Sequence, residues 1–359
     1  MIFIKRSVPA SSRRAAAAAL SACSEAERRE LATLEARIGG VHLRLRLELE
    51  RDYETHVFRR GTHFFHLENW YSFHGVVRAI LTLAGLHGRG RRNALRIQVR
   101  RIDVPLAKLP AAFDGFTLLH LSDLHLDLSE RYLASLIERV QGLDYDACVL
   151  TGDFRFRTFG PYEPALEALA RLRPHLRQPL YAVLGNHDTI RMVPRMEALG
   201  IRVLMNESAR LERGAESIFV AGIDDAHFFR THNFHRAAHD IPHDACAILL
   251  SHTPEPYRHA AYVGFSLMLC GHTHGGQICL PGGVPIITDS DAPRRYARGP
   301  WRYRGLAGYT SVGCGSSIVD VRLNCLPEIT LHRLRSQMRR EPEAALAPAI
   351  STADRGSPA

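Results

Sequence analysis

Between residues 105 and 336 short apolar runs recur, and nearly every one stops at an Asp, Asn or His. The runs lie at 116–121, 147–151, 180–184, 218–222, 246–250 and 267–270. Continuous runs of four to six apolar residues, mostly bounded by Gly, Asp or Pro, suit strands covered on both faces. Helix-like stretches at 130–140 and 164–172 lie between some of them. Alternation of this kind predicts an α/β fold with buried strands, and it excludes fibrous and disordered classes.

The residues that follow the runs carry the chemistry. After 116–121 come Asp123 and His125; after 147–151 come Gly152 and Asp153. The run at 180–184 is followed by Gly185-Asn186-His187-Asp188, that at 246–250 by His252, and that at 267–270 by Gly271-His272-Thr273-His274. Open α/β sheets bind ligands beyond the carboxyl ends of their strands. Five strand exits therefore deliver Asp, His, Asp, Asn, His, His and His toward one crevice. Mixed oxygen and nitrogen donors suit Mn, Fe or Zn rather than a soft thiolate site. Seven ligands exceed the need of one ion and match two, if one carboxylate bridges. Taken singly, each piece is an ordinary strand-exit turn or a satisfied histidine. The ordered set carries the argument.

That set resembles the calcineurin-like metallophosphoesterases. The likeness covers about residues 115–335 and implies a four-layer α/β/β/α sandwich of two mixed sheets. It implies that Asp123, His125 and His274 hold one divalent ion, that Asn186, His252 and His272 hold a second, and that Asp153 bridges them. His187 takes the place of the catalytic histidine, with Asp188 placed to orient it. Two ions in such a site acidify a water and neutralise phosphoryl oxygens. Mn is the expected metal, with Fe or Zn as substitutes.

The Val-Asp-Arg-Gly pattern of phosphoprotein phosphatases does not follow Gly152-Asp153, where the chain reads Phe154-Arg155-Phe156-Arg157. Arg155 and Arg157 are candidate bidentate contacts to a phosphate or diphosphate. Closer likeness, carried by 271–281 (GHTHGGQICLP), Gly222-Ile223-Asp224-Asp225 and 313–330, is to the bacterial membrane-associated phosphodiesterases. That branch includes the UDP-2,3-diacylglucosamine pyrophosphatase of lipid A synthesis.

Charge divides the chain. Residues 1–104 hold 19 Lys/Arg against 10 Asp/Glu, and residues 105–359 hold 27 of each, so the first part carries the whole net charge of +9. Domains are expected at 1–104 (a basic extension), 105–336 (the catalytic domain) and 337–359 (a disordered tail). Within the extension, 41–50 (VHLRLRLELE) alternates strictly and predicts a half-buried strand. Leu31, Leu34 and Ile38 recur at helical spacing after a Ser24/Glu27 capping pattern. A lipoprotein-like box at 20–23 after Arg13-Arg14 is the weaker reading of that end, because the intervening alanine run is short and barely apolar.

The stretch 70–86 (WYSFHGVVRAILTLAGL) is apolar and followed by Arg89, Arg91, Arg92 and Arg96. It is too short to span a membrane. It fits either an interfacial helix at an anionic surface or a helix packed on the main domain. No nucleic-acid motif accompanies it. The seven cysteines form no CxxC pair and mostly sit in apolar runs, as reduced thiols do in a reducing compartment. Five histidines between 227 and 243 (His227, His232, His235, His239 and His243) suggest a lid over the substrate; the simpler reading is a solvated loop.

The expected activity is cleavage of a phosphodiester or diphosphate bond, in a nucleotide-activated lipid, on the inner face of the cytoplasmic membrane. The rivals are a broad phosphodiesterase for soluble nucleotides and an inactive membrane-binding scaffold.

Overall fold

The computed structural model describes residues 25–59 and 71–337. The lipoprotein-like box, Ser24, Trp70 and nearly all of the C-terminal tail lie outside the described residues. Among the described residues the first elements are helices α1 (Glu25–Ile38), α2 (Gly40–Arg59), α3 (Tyr71–Leu83) and α4 (His87–Ala94), followed by strand β1 (Gln98–Leu106).

Two six-stranded mixed sheets follow. The first contains β1, β2 (Thr117–Leu121), β3 (Ala147–Thr151), β4 (Leu180–Val183), β5 (Arg202–Val203) and β14 (Glu328–Ser336), in the order β1-β14-β2-β3-β4-β5. The second contains β6 (Glu207–Arg213), β7 (Glu216–Gly222), β8 (Ala247–Leu250), β9 (Leu267–Cys270), β12 (Gly299–Tyr303) and β13 (Leu306–Thr310), in the order β12-β13-β9-β8-β7-β6. Strands β2, β3, β4 and β5 run parallel, as do β7, β8, β9 and β13.

Burial explains the unbroken apolar runs. In β3, Ala147 and Val149 pack into the layer between the sheets, while Cys148 and Leu150 face the helices α5 (Glu130–Val140) and α6 (Glu163–Leu172) on the outer side. In β8, Ile248 and Leu250 face the inner layer, and Ala247 and Leu249 face the layer that contains α7 (Tyr257–Val263). Three apolar layers between four structural layers give the expected α/β/β/α sandwich. The six cysteines among the described residues are buried and unpaired.

The segment 41–50 is a helix and not the predicted strand. Its only β-branched residue is Val41; the rest are leucines, arginines and glutamates of high helix propensity, with His42. In the helix Leu43 and Leu47 are buried one turn apart, while Leu45 is 45% exposed. Leu31, Leu34 and Ile38 join them in the outer core of the first sheet, so α1 and α2 pack on the catalytic layers. Each such side chain contributes about 1.5–3 kcal/mol on burial. β1 runs across residue 104 and pairs in parallel with β14 along its whole length.

Candidate metal centre

The parallel strands β2, β3 and β4 of one sheet and β8 and β9 of the other end at the same edge of the sandwich. The expected ligands follow each strand directly. Their backbones are strained: Asp123 (φ 50°), His125 (40°), Asp153 (54°), His272 (71°) and His274 (49°) occupy the left-handed region. For residues other than glycine this costs about 1–3 kcal/mol each, and such strain collects at functional sites. Space is equally tight. A Cβ on Gly185 would stand 2.6 Å from the Asp153 nitrogen, and one on Gly271 would meet Ser122 Oγ and the Asp123 carboxylate.

These turns gather two clusters around one carboxylate. Ligand atoms of Asp123, His125, Asp153 and His274 lie within 4.8 Å of one another, as do those of Asp153, His252 and His272. Asn186 Oδ1 is 2.9 Å from His252 Nε2. The grouping follows the division that the resemblance implies, with Asp153 common to both clusters, and it brings together all seven expected ligands.

The second nitrogens of the rings fix which atom faces the centre. His125 Nδ1 meets the Arg155 carbonyl at 2.9 Å, and His252 Nδ1 meets the Thr151 carbonyl at 2.8 Å. A carbonyl only accepts, so in each ring Nδ1 carries a proton and Nε2 is the atom left facing the centre. His272 presents Nδ1 instead, 3.2 Å from His252 Nε2. Burial, with the Arg322 guanidinium alongside, holds His274 neutral, the form that ligates. Arg322 is itself fully buried and anchors this loop by donating to the carbonyls of His274 (2.9 Å) and Val312 (2.8 Å).

The charges call for a cation. Burial pushes the Asp123 carboxyl upward, and the neighbouring Asp153 charge adds to this. Burial acts on Asp153 in the same direction, but the His252 and His187 imidazoles outweigh it and hold the carboxyl well below its ordinary range. Two buried carboxylates with imidazole donors form a set that suits hard or borderline divalent ions. The residues present fit two of them.

His187 is 3% exposed, with Nε2 3.9 Å from Asp153 Oδ2 and Nδ1 3.5 Å from Thr158 Oγ1. Asp188 braces the loops around it. Its carboxylate accepts the backbone N–H groups of Phe154 (2.8 Å) and Gly185 (2.9 Å), tying the β3 exit to the β4 exit. The Arg155 guanidinium is buried and donates to the carbonyls of Thr158, Gly160 and His187, so it serves the same loops. Arg157 is exposed.

The sequence reading missed several residues here. Arg46 of α2 is fully buried, donating to Asp224 Oδ1 (2.7 Å), the Asp188 carbonyl (2.9 Å) and Glu50 Oε1 (2.9 Å). Glu50 in turn accepts from Thr189 Oγ1 (2.5 Å) and the Ile190 nitrogen (2.8 Å). The Asp224 carboxyl sits well below its usual range: burial opposes ionisation, but Arg46 and His42 prevail. Asp225 accepts the N–H groups of His227, Phe228 and Phe229. His227 is not a solvated loop residue. Its ring lies 4.5 Å from that of His272, and its Nδ1 is 2.8 Å from Glu255 Oε1.

Residues 116–276 match the calcineurin-like phosphoesterase family. Among curated proteins, the chain is 29% identical over 266 residues to the uncharacterized metallophosphoesterase YkoQ of Bacillus subtilis, covering 71% of this chain and 97% of that protein. It is 30% identical over 226 residues to a transmembrane protein with metallophosphoesterase domain from Danio rerio, covering 58% of this chain and only 51% of that protein. Against the phosphodiesterase YaeI of Escherichia coli it is 28% identical over 239 residues, 61% of this chain and 82% of that protein. Its sandwich and its clustered donors agree with this likeness over residues 116–276, and the chain is a metal-dependent hydrolase of phosphoric esters.

Proposed function

We propose that the chain cleaves a phosphodiester or diphosphate bond in a nucleotide-activated lipid, with UDP-2,3-diacylglucosamine of lipid A synthesis as the leading candidate. It would do so with two Mn ions, while resting on the inner face of the cytoplasmic membrane. The relative named as a phosphodiesterase supports the kind of bond.

The observation that carries the lipid reading is the outer face of α3. Val76, Ile80 and Leu83 are 52%, 59% and 89% exposed, with Arg78 on the same helix and Arg89, Arg91 and Arg92 on α4. A 13-residue helix is too short to cross a bilayer, and an apolar face beside arginines is suited to an anionic surface. No helix among the described residues is long and apolar enough to cross a membrane. In this reading residues 1–104 serve attachment and support, and 105–336 serve chemistry.

Asp123, His125 and His274 would hold one ion, Asn186, His252 and His272 the other, and Asp153 would lie between them. When bound, the ions supply Lewis acidity to the attacking water and to the phosphoryl oxygens. His187 then acts on the leaving group, giving a proton to the departing oxygen. Asp188, Arg155 and Glu50 hold the loop that carries it. Arg157, exposed near this loop, is the arginine open to a second phosphate.

A Mn-supplemented assay of UDP-diacylglucosamine beside a soluble dinucleotide tests the reading. Turnover of the lipid nucleotide is expected. Turnover of the dinucleotide alone would move the substrate to soluble nucleotides, and hydrolysis of neither would point to a scaffold.

A further inference from the structure

Immediately after His274 the chain makes a short 3-10 turn and enters a hairpin of β10 (Cys279–Leu280) and β11 (Val284–Pro285), closed by Pro281-Gly282-Gly283. The hairpin is pressed against the metal loop: a Cβ on Gly276 would meet Pro285 and the Ile287 carbonyl. Its outer surface is aliphatic, with Leu280, Val284, Ile286 and Ile287 each 51–52% exposed. Single exposed aliphatics are ordinary, but four within eight residues form a patch, and patches mark binding sites.

Beside this patch lies a cavity of about 300 Å³ lined by Gly275, Pro285, Arg294, Arg295 and Arg298, with no carboxylate in its wall among the described residues. Arg298 is fixed by donating to the Gly283 carbonyl (2.7 Å), and the Arg295 guanidinium sits 4.7 Å from the centre of the Tyr296 ring. Three arginines lining one opening, beside the residue that follows the candidate ligand His274, match an anion of the phosphate type. The root of the hairpin is continuous with α3. Ile278 bridges to Leu323 and shares one apolar cluster with Val77 and Leu81 of the helix.

We propose that this cavity and hairpin form a subsite for the anionic, chain-bearing end of an amphiphilic substrate. Its acidic oxygens lie against Arg294, Arg295 and Arg298, and its alkyl chain runs along Leu280, Val284, Ile286 and Ile287. The proposal rests on the lipid reading above and adds where the lipid sits: beside His274, on the side of the metal centre toward α3. A soluble nucleotide offers nothing to the aliphatic patch, so the subsite also gives a physical basis for preferring lipids.

Two measurements test it. In the first, metal-stripped protein in EDTA is titrated calorimetrically with decyl phosphate and with inorganic phosphate, which removes capture by the metals. Decyl phosphate is expected to bind at least about tenfold more tightly than inorganic phosphate, the scale of a few buried methylenes. The pair Leu280→Ser/Ile287→Ser should erase that difference, and the pair Arg294→Glu/Arg298→Glu should weaken both ligands. In the second, the Mn-loaded enzyme hydrolyses octyl and ethyl p-nitrophenyl phosphate. A wild-type preference for the octyl ester that falls toward unity in Leu280→Ser/Ile287→Ser supports the subsite. Hydrolysis of both esters with no chain-length preference, or decyl phosphate binding unchanged in both variant pairs, overturns the subsite and leaves the phosphodiesterase reading intact. No hydrolysis of either ester overturns the phosphodiesterase reading, while the titration in EDTA still decides the subsite by itself.

Discussion

Arg46 on the second helix donates to the backbone carbonyl of Asp188, one residue beyond His187, at 2.9 Å. The same guanidinium pairs with buried Asp224 and lies 3.6 Å from the centre of the Phe229 ring. One side chain from the basic extension therefore braces the loop that carries His187 and the loop that follows β7. Replacing Arg46 by Met keeps most of the volume and leaves Asp224 without its main partner. Removing one member of a buried pair costs about 3–5 kcal/mol, so Arg46→Met should lose that much in urea unfolding. Arg46→Lys should recover only part, because an ammonium cannot hold Asp224, Glu50 and the carbonyl together. Unchanged stability and unchanged kcat in Arg46→Met would remove the extension from the catalytic framework.

The His187 ring stands off from Asp153, with Nε2 3.9 Å from Oδ2 while the backbone N–H donates to Oδ1 at 3.0 Å, and His187 is not one of the seven proposed ligands. His187→Ala should therefore keep its metal while kcat falls by about 10²–10⁴, the range of a lost general acid. The loss should be smaller for a p-nitrophenyl ester, whose leaving group needs no proton, than for an alkyl ester. Equal losses for both esters would argue against the proton-donor role.

Beneath the centre, His120 is fully buried, with Nε2 2.9 Å from Thr151 Oγ1 and Nδ1 3.3 Å from His332 Nε2. Burial lowers its pKa from the ordinary 6.5 to about 3, and burial lowers His332 as well. Between those values the unfolded chain binds a proton that the folded chain excludes. The stability contributed is complete above pH 6.5 and drains away as pH falls toward 3. Each such histidine gives a slope of about 1.4 kcal/mol per pH unit. Urea midpoints in EDTA should fall from pH 6.5 to 4, and His120→Gln should fall less steeply. An identical slope in both proteins would contradict the assignment.

The outer face of the third helix predicts attachment to anionic bilayers. Wild-type protein should float with anionic liposomes at low salt, and Ile80→Asp/Leu83→Asp should stay at the bottom of the gradient. Flotation unaffected by this pair would take the helix out of the membrane reading.

Much of the site was legible in the sequence because both sheets are covered on both faces. Covered strands read as unbroken apolar runs, so the polar residues at their exits stood out at once. The candidate ligands Asp123 through His274 were found by the rule that ligands collect at carboxyl ends, and their division between two ions came from the family resemblance. Legibility failed where a pattern had two physical solutions. The alternation in 41–50 suits a strand face, yet the leucines and charged residues there favour a helix, and packing of Leu43 and Leu47 decided it. Arg46 looked like every other arginine in that basic stretch, because its burial depends on Asp224 far along the chain. His227 was read as solvated because its neighbours, Glu255 and His272, come together only in the fold.

The central claim is that Asp153 and the six residues around it hold two divalent ions that the hydrolysis requires. The most direct measurement is metal stoichiometry together with Mn-supported hydrolysis of bis(p-nitrophenyl) phosphate, for wild type and Asp153→Ala. Two ions per chain and measurable turnover are expected for wild type, with both lost in the variant while its fold, read by circular dichroism, remains. Equal metal content and equal turnover in the two proteins would contradict the account.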